Sequence, residues 1–189
     1  MQNNPFVSLP IAWQKRFMVV LAGLAVVLLI VLQVIDVPLR TAVAPSGIVS
    51  FELAGDAATA QAMVASWDET ARIHAGISLG IDYLFMVSYA GAISLCCVLV
   101  ARGLKPGWLA SIGMALAWGQ WLAAALDALE NVALIRILLG AGGDFWPLLA
   151  RWCAIPKFAL VLCGVLFIGA GFVLTRFLRR EHSPGDTLP

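Results

Sequence analysis

The chain predicts an all-α, polytopic membrane protein, with four transmembrane helices in an up-down bundle and an extracytoplasmic loop carrying a short helix. Three observations carry this reading. Four apolar stretches, Phe17 to Ile35, Ile77 to Ala101, Trp108 to Leu126 and Ile155 to Thr175, are each near or above the ~20 residues a helix needs to cross a ~30 Å hydrocarbon core. Of the residues, 61% are hydrophobic and only 12% charged, and the mean hydropathy is +0.93, more apolar surface than a soluble domain can hide. The stretches also occupy so much of the 189 residues that a single domain over 1–180 is expected. Its outer loop would cover 37–66, a polar tail would cover 181–189, and no room is left for a separate soluble domain.

The first stretch competes with a signal peptide, because Lys15 and Arg16 precede it and Ala42-Val43-Ala44 resembles a small-residue cleavage site. Its length exceeds the ~7 to 15 residues of a signal h-region, and Pro45 directly after the site hinders cleavage, so a permanent helix is expected. In the outer loop, Val49 to Leu53 reads as a short extended segment. Gly55-Asp56 is a turn whose Asp caps an Ala-rich helix to about Ala65, and Ser66-x-x-Glu69 is a capping box opening the second membrane helix. From Trp67 to Ala101 no proline interrupts the pattern, so at ~1.5 Å per residue this helix is on the order of 50 Å long and projects from the bilayer. Gly76 and Gly80 form a small-xxx-small pair suited to a close helix contact. Gly140-Ala-Gly-Gly143 is a turn before the fourth helix, whose first turn tolerates Pro156. The tail from Glu181 to Pro189, polar with two prolines, is expected to be disordered.

Orientation follows from the cations. Lys15, Arg16, Arg102, Lys105, Arg176, Arg179 and Arg180 fall on one side, while in the loop opposite Asp36, Glu52, Asp56, Asp68 and Glu69 outnumber Arg40 and Arg72. The positive-inside rule then puts both termini in the cytoplasm. Arg136, Arg151 and Lys157 toward the outer side weaken the bias without reversing it.

Depth counting yields the candidate site. From the cytoplasmic end of each helix, about 19 residues lead to Asp82, Asp127 and Lys157, and about 20 to Asp36, which is roughly 28 to 30 Å in every case. Four ionisable groups therefore lie near one plane at the outer boundary. Glu130 and Asn131 share the Asp127 face at i+3 and i+4, and Gln120 extends that stripe one heptad inward. Either these groups snorkel to the interface singly, or Asp82, Asp127, Glu130, Asn131 and Lys157 converge inside the bundle and form a ligand-binding or ion-pair layer. In the second case Lys157, helped by Arg136 or Arg151, neutralises two carboxylates and leaves a third. Tyr89, on the stripe of Ser78, Asp82 and Met86, either lines such a site or sets its hydroxyl on a backbone carbonyl. Trp118 and Trp121 are expected to fill the bundle or face lipid.

Several chemistries are disfavoured. Two histidines, His74 and His182, are too few for a haem, di-iron or His-rich zinc site, and no metal or other cofactor is expected. Cys96, Cys97, Cys153 and Cys163 include no C-x-x-C pair, so a redox relay is unsupported and all four read as small buried residues. The Gly-rich turn lacks the Lys of a P-loop. With a net charge of +1 and no basic stripe, nucleic acid is excluded as a partner.

Four stretches, Gly47-Ile-Val-Ser-Phe-Glu-Leu-Ala54, Ala65-Ser-Trp67, Leu79-Gly-Ile-Asp-Tyr-Leu-Phe85 and Leu126-Asp-Ala-Leu-Glu-Asn131, resemble those of a family of uncharacterised bacterial four-helix integral membrane proteins. The resemblance implies a multi-pass protein of the bacterial inner membrane and brings no assigned activity. Three classes of function stay open. A lipid-like or amphipathic small molecule could be bound at the polar layer near the extracytoplasmic face. The chain could be an accessory subunit, docking a membrane partner or a second copy through Phe51, Glu52 and Trp67. An uncompensated carboxylate among Asp82, Asp127 and Glu130 could serve as general acid or base, the reading with least support. A channel is disfavoured, because four helices enclose little lumen and no charge lies near the bilayer centre.

Overall fold

The computed structural model describes residues 4–104 and 107–181, with side chains to residue 174. The helices are α1 (Ile11–Ile35), α2 (Ile48–Glu52), α3 (Ala57–Ser66), α4 (Glu69–Gly103), α5 (Trp108–Leu138) and α6 (Phe145–Glu181), with a 3-10 turn at Val37–Leu39. No strand occurs among the described residues. Helices α1, α4, α5 and α6 are long and apolar enough to cross a membrane, which marks a multi-pass membrane protein. Residues 182–189 of the polar tail, with His182, lie outside the described residues, as does Lys105.

Helix α4 is the hub because its sequence is rich in small residues. Ala71, Ala75, Ala90, Ala92 and Ala101 are buried along it, and small side chains let neighbouring backbones approach closely. On its α1 side, Gly91 faces Leu21. On its α5 side, the Ser94 hydroxyl donates to the Ala117 carbonyl at 2.7 Å. A Cβ on Gly113 of α5 would lie 2.5 Å from Phe167 Cζ and 2.8 Å from Ala101 Cβ, so any side chain there pries α4, α5 and α6 apart. Helix α1 contributes the opposite kind of surface. Val19, Val20, Val26, Val27, Ile30 and Val34 are exposed along it, a bare apolar face that water would not tolerate and hydrocarbon does.

Between α1 and α4 the chain folds back over one end of the bundle and forms a cap. Asp36 anchors the fold-back: its carboxylate accepts from Ile48 N at 2.7 Å and from Arg40 Nε at 3.0 Å. Gly47, with φ +57°, turns directly against that carboxylate, where a Cβ would collide with it. Asp36 is thus a structural anchor, not a member of the polar layer. The expected extended segment at Val49 to Leu53 is the helix α2. With no second strand to pair with, a lone β segment would leave its backbone groups unsatisfied, whereas a helical turn satisfies its own.

Asp56 caps α3 by accepting from Thr59 N at 2.8 Å. The capping box expected at Ser66 does not form. Asp68 instead caps α4, accepting from Ala71 N at 2.7 Å. The Ser66 hydroxyl is committed to the Met63 carbonyl and to Thr41 Oγ1, while Trp67 is extended at the break between α3 and α4. The cap closes on apolar residues: Phe51 and Trp67 meet edge to face at 5.2 Å and pack with Leu39, Met63, Leu79, Leu134 and Ala150. The buried indole Nε1 of Trp67 donates to the Leu39 carbonyl at 2.8 Å.

Gly140, at φ +89°, ends α5 in a Schellman turn, its N–H on the Ile137 carbonyl and that of Ala141 on the Arg136 carbonyl. Helix α6 then starts at Phe145, so Pro156 lies in the helix interior and not in a first turn. Lacking an N–H, it omits the backbone bond to the Trp152 carbonyl at the turn that carries Lys157. At the other end of the bundle, the side chain of Gln14 holds the N-terminal segment beneath α1. Its Nε2 donates to the carbonyls of Phe6 and Leu9 and its Oε1 accepts from Arg102 Nη1 at 3.0 Å.

Candidate functional site: a buried polar cluster beneath the cap

Residues on four helices meet below α2. Asp127 and Glu130 on α5, one turn apart, face α6, where Lys157 projects between them. The Lys157 ammonium donates to Asp127 Oδ1 at 2.9 Å and to Glu130 Oε1 at 2.9 Å, and Glu52 Oε2 on α2 is 3.7 Å away. It also lies 4.6 Å over the Phe158 ring, a face that attracts cations. From α4, the Tyr89 hydroxyl donates to Asp127 Oδ2 at 2.9 Å, so both oxygens of that carboxylate are bound. Asn131, next along α5, donates its amide to Asp82 Oδ2 on α4 at 2.7 Å.

Asp127, Glu130, Asn131, Lys157 and Tyr89 are buried and Asp82 is half-buried. Pulling these charges from water is costly, and close pairing is what makes such burial tolerable. The pairing is incomplete. Four carboxyl groups face one cation, and the other arginines at this end are engaged elsewhere: Arg40 with Asp36, Arg72 on the Val64 and Trp67 carbonyls, Arg136 over the Trp146 ring and Arg151 against Gly55. Neither Arg136 nor Arg151 assists Lys157. Glu52 Oε2 and Glu130 Oε2 are buried without a hydrogen bond. The latter lies 2.9 Å from Lys157 Nζ as an ion pair, outside hydrogen-bonding geometry. Burial holds the Glu52 carboxyl above the usual carboxylate range, against the opposing pull of Lys157.

The structure therefore brings Asp82, Asp127, Glu130, Asn131, Lys157 and Tyr89 together as one network. It places Phe51, Glu52 and Trp67 differently from a docking face. Phe51 and Trp67 are buried in the cap core, and Glu52 is turned down onto Lys157. Sequence reasoning assigned Glu52 to the surface because depth counting reaches only residues within membrane helices. One signal was present: a lone carboxylate inside the apolar run Ile48-Val-Ser-Phe-Glu-Leu53.

Gln120 is buried one heptad below Asp127 and donates to the Leu160 carbonyl at 2.9 Å, with its Oε1 unbonded. Trp118 is exposed, whereas the indole N–H of Trp121 is buried without a partner. All four cysteines are free, and they are not uniformly buried: Cys97 and Cys153 are, Cys96 is intermediate and Cys163 is exposed. Among the described residues, no group of three or more His, Cys, Asp or Glu side chains is arranged to hold a metal ion.

Chemically, the cluster presents acceptors in excess of donors, a fixed ammonium and an aromatic face, at a depth where apolar walls begin. No protein-family profile, curated protein or solved structure matches this sequence.

Proposed function

We propose that this protein binds a lipid-like or amphipathic small molecule at the polar cluster, near the extracytoplasmic face of a bacterial inner membrane. In this reading the four long helices cross the membrane in up-down order, both termini are cytoplasmic, and the cap of α2 and α3 lies on the outer side. Residue pairings support the up-down order. Asp82 meets Asn131, Tyr89 meets Asp127 and Ser94 meets Ala117, so ascending positions on α4 meet descending ones on α5. The distribution of Lys and Arg supports the orientation.

The observation that carries the binding reading is the pair of buried carboxylate oxygens on Glu52 and Glu130 without hydrogen bonds, in a cluster roofed by the cap and set on apolar helices. Buried polar atoms are ordinarily satisfied, and a site with apolar walls and a few convergent polar groups suits an amphipath. The accessory-subunit reading has less support, since the loop side chains that would dock a partner face inward. Enzymatic use of a carboxylate stays subordinate to binding, although the buried free thiol of Cys153 lies one turn before Lys157 on α6.

Native mass spectrometry of protein gently extracted from its own membrane tests the reading. Wild type is expected to carry a defined small mass that Asp127→Asn loses. A bare wild-type chain, or a mass retained equally by a folded Asp127→Asn protein, counts against it.

A further inference from the structure

We infer that the face of α1 carrying Trp13, Arg16 and Phe17 is a docking surface for an anionic phospholipid, whose phosphate is held by Arg16 and Lys15 and whose acyl chain lies along the helix. This surface is at the opposite end of the bundle from the polar cluster and does not depend on what that cluster binds.

Three observations carry the assignment. First, the cations here have no internal partner. Lys15 and Arg16 are exposed, and among the described residues neither is paired with a carboxylate. Residues 1–35, 83–103, 108–126 and 158–174, which supply this end and the membrane helices leading from it, contain no Asp or Glu. The neighbouring Arg102 is already committed to Gln14 Oε1 at 3.0 Å. Basic side chains placed beside a bilayer in this way attract anionic lipid.

Second, the guanidinium is set in place. Arg16 lies over the Trp13 ring at 5.3 Å, and that ring packs on Phe17 at 5.8 Å, an i, i+3, i+4 stack on one face of the helix. A guanidinium over an aromatic ring still presents its fork of N–H groups, which suits phosphate oxygens. The turn is anchored from behind, because the buried Gln14 donates to the Phe6 and Leu9 carbonyls. Trp13 and Arg16 are thereby held facing outward.

Third, the same face continues as an apolar track. Val20 and Val27 follow Trp13 at helical spacing, and both are exposed, as are Trp13 and Phe17. From Phe17 to Val27 is about 15 Å along the axis, one leaflet of a ~30 Å hydrocarbon core. A cationic head site above a track of one acyl length has the dimensions of a phospholipid. A zwitterionic choline lipid would bring its own cation against Lys15 and Arg16, which disfavours it.

The test is native mass spectrometry of the full chain released from nonionic detergent micelles, titrated separately with phosphatidylglycerol and phosphatidylcholine of the same acyl chains. Wild type is expected to take its first phosphatidylglycerol at least about tenfold more tightly, since each basic residue beside an anionic headgroup contributes about fivefold. Arg16→Gln is expected to bring that preference within about threefold. Arg136→Gln, which removes the exposed guanidinium over Trp146 at the other end, is expected to leave it unchanged. Lys15→Gln carries the same expectation as Arg16→Gln and serves if the latter does not fold. Equal affinity of wild type for the two lipids overturns the assignment, as does an undiminished preference in the folded Arg16→Gln or Lys15→Gln protein. An equal loss in Arg136→Gln would trace the preference to total charge and overturn the site as well.

Discussion

The Tyr89 hydroxyl on α4 donates to Asp127 Oδ2 on α5 at 2.9 Å, while Oδ1 of the same carboxylate takes the Lys157 ammonium from α6. One side chain thereby ties three membrane helices at a single depth. Its orientation is fixed from both sides, which explains how a buried carboxylate can be held without strain on any one partner.

Removing the phenol alone tests that tie. Tyr89→Phe keeps the ring, which packs 5.2 Å from Phe85, and deletes its hydrogen bond to the Asp127 carboxyl that Lys157 also holds, a loss of about 2 kcal/mol. Equilibrium unfolding in mixed micelles should register it. A change below about 0.5 kcal/mol would show that the carboxylate finds a substitute donor.

Lys157 offers a larger effect with a diagnostic reversal. Lys157→Met strips the cluster of its cation and leaves buried carboxylates facing one another, which is expected to destabilise by about 3–5 kcal/mol. Adding Asp127→Asn and Glu130→Gln to that variant should recover much of the loss, because the penalty lies in unpaired charge and not in lost packing. If the triple variant is no more stable than Lys157→Met, the ion-pair account is wrong.

The cap should respond to pH through Glu52. Because burial raises its carboxyl above the ordinary value of 4.5 in the folded state, folding favours the protonated form. The stability it contributes is fully present below the unfolded value and is lost as pH rises through the folded one. Amide exchange of residues 48–66 is therefore expected to quicken, relative to intrinsic rates, as pH climbs above about 4.5. In Glu52→Gln the profile should be flat. A wild-type profile equally flat would refute the assignment.

Much of this arrangement was legible before any coordinates. Asp82, Asp127 and Lys157 fall at equal helical distances from the same end of the apolar stretches, and a helix has a fixed rise, so counting residues is equivalent to measuring depth. Helical periodicity likewise joins Glu130 and Asn131 to Asp127. Whether that plane faced lipid headgroups or the bundle interior was not legible, since azimuth depends on which neighbours each helix chooses. Tyr89 illustrates this: its stripe was identifiable, but its acceptor, a carboxylate on another helix, was not.

The loop was read less well for the same reason. Asp56 as a cap for α3 is a local interaction across three residues, and it was found. Asp36, Glu52, Ser66 and Trp67 each take at least one partner from a separate segment, which local spacing does not indicate. Asp36 holds Ile48 and Gly47, Glu52 approaches Lys157, and Trp67 reaches the Leu39 carbonyl.

By itself the sequence determined an all-helical membrane chain, its four long apolar helices and the depth of its buried charges, because length, hydropathy and helical rise are properties of single segments. Only the tertiary structure decided that the charges converge, that Glu52 completes them from outside the membrane helices, and that Phe51 and Trp67 turn inward. The physical reason is that burying a charge or an aromatic ring depends on what comes to lie opposite it, and that partner is supplied by a different part of the chain.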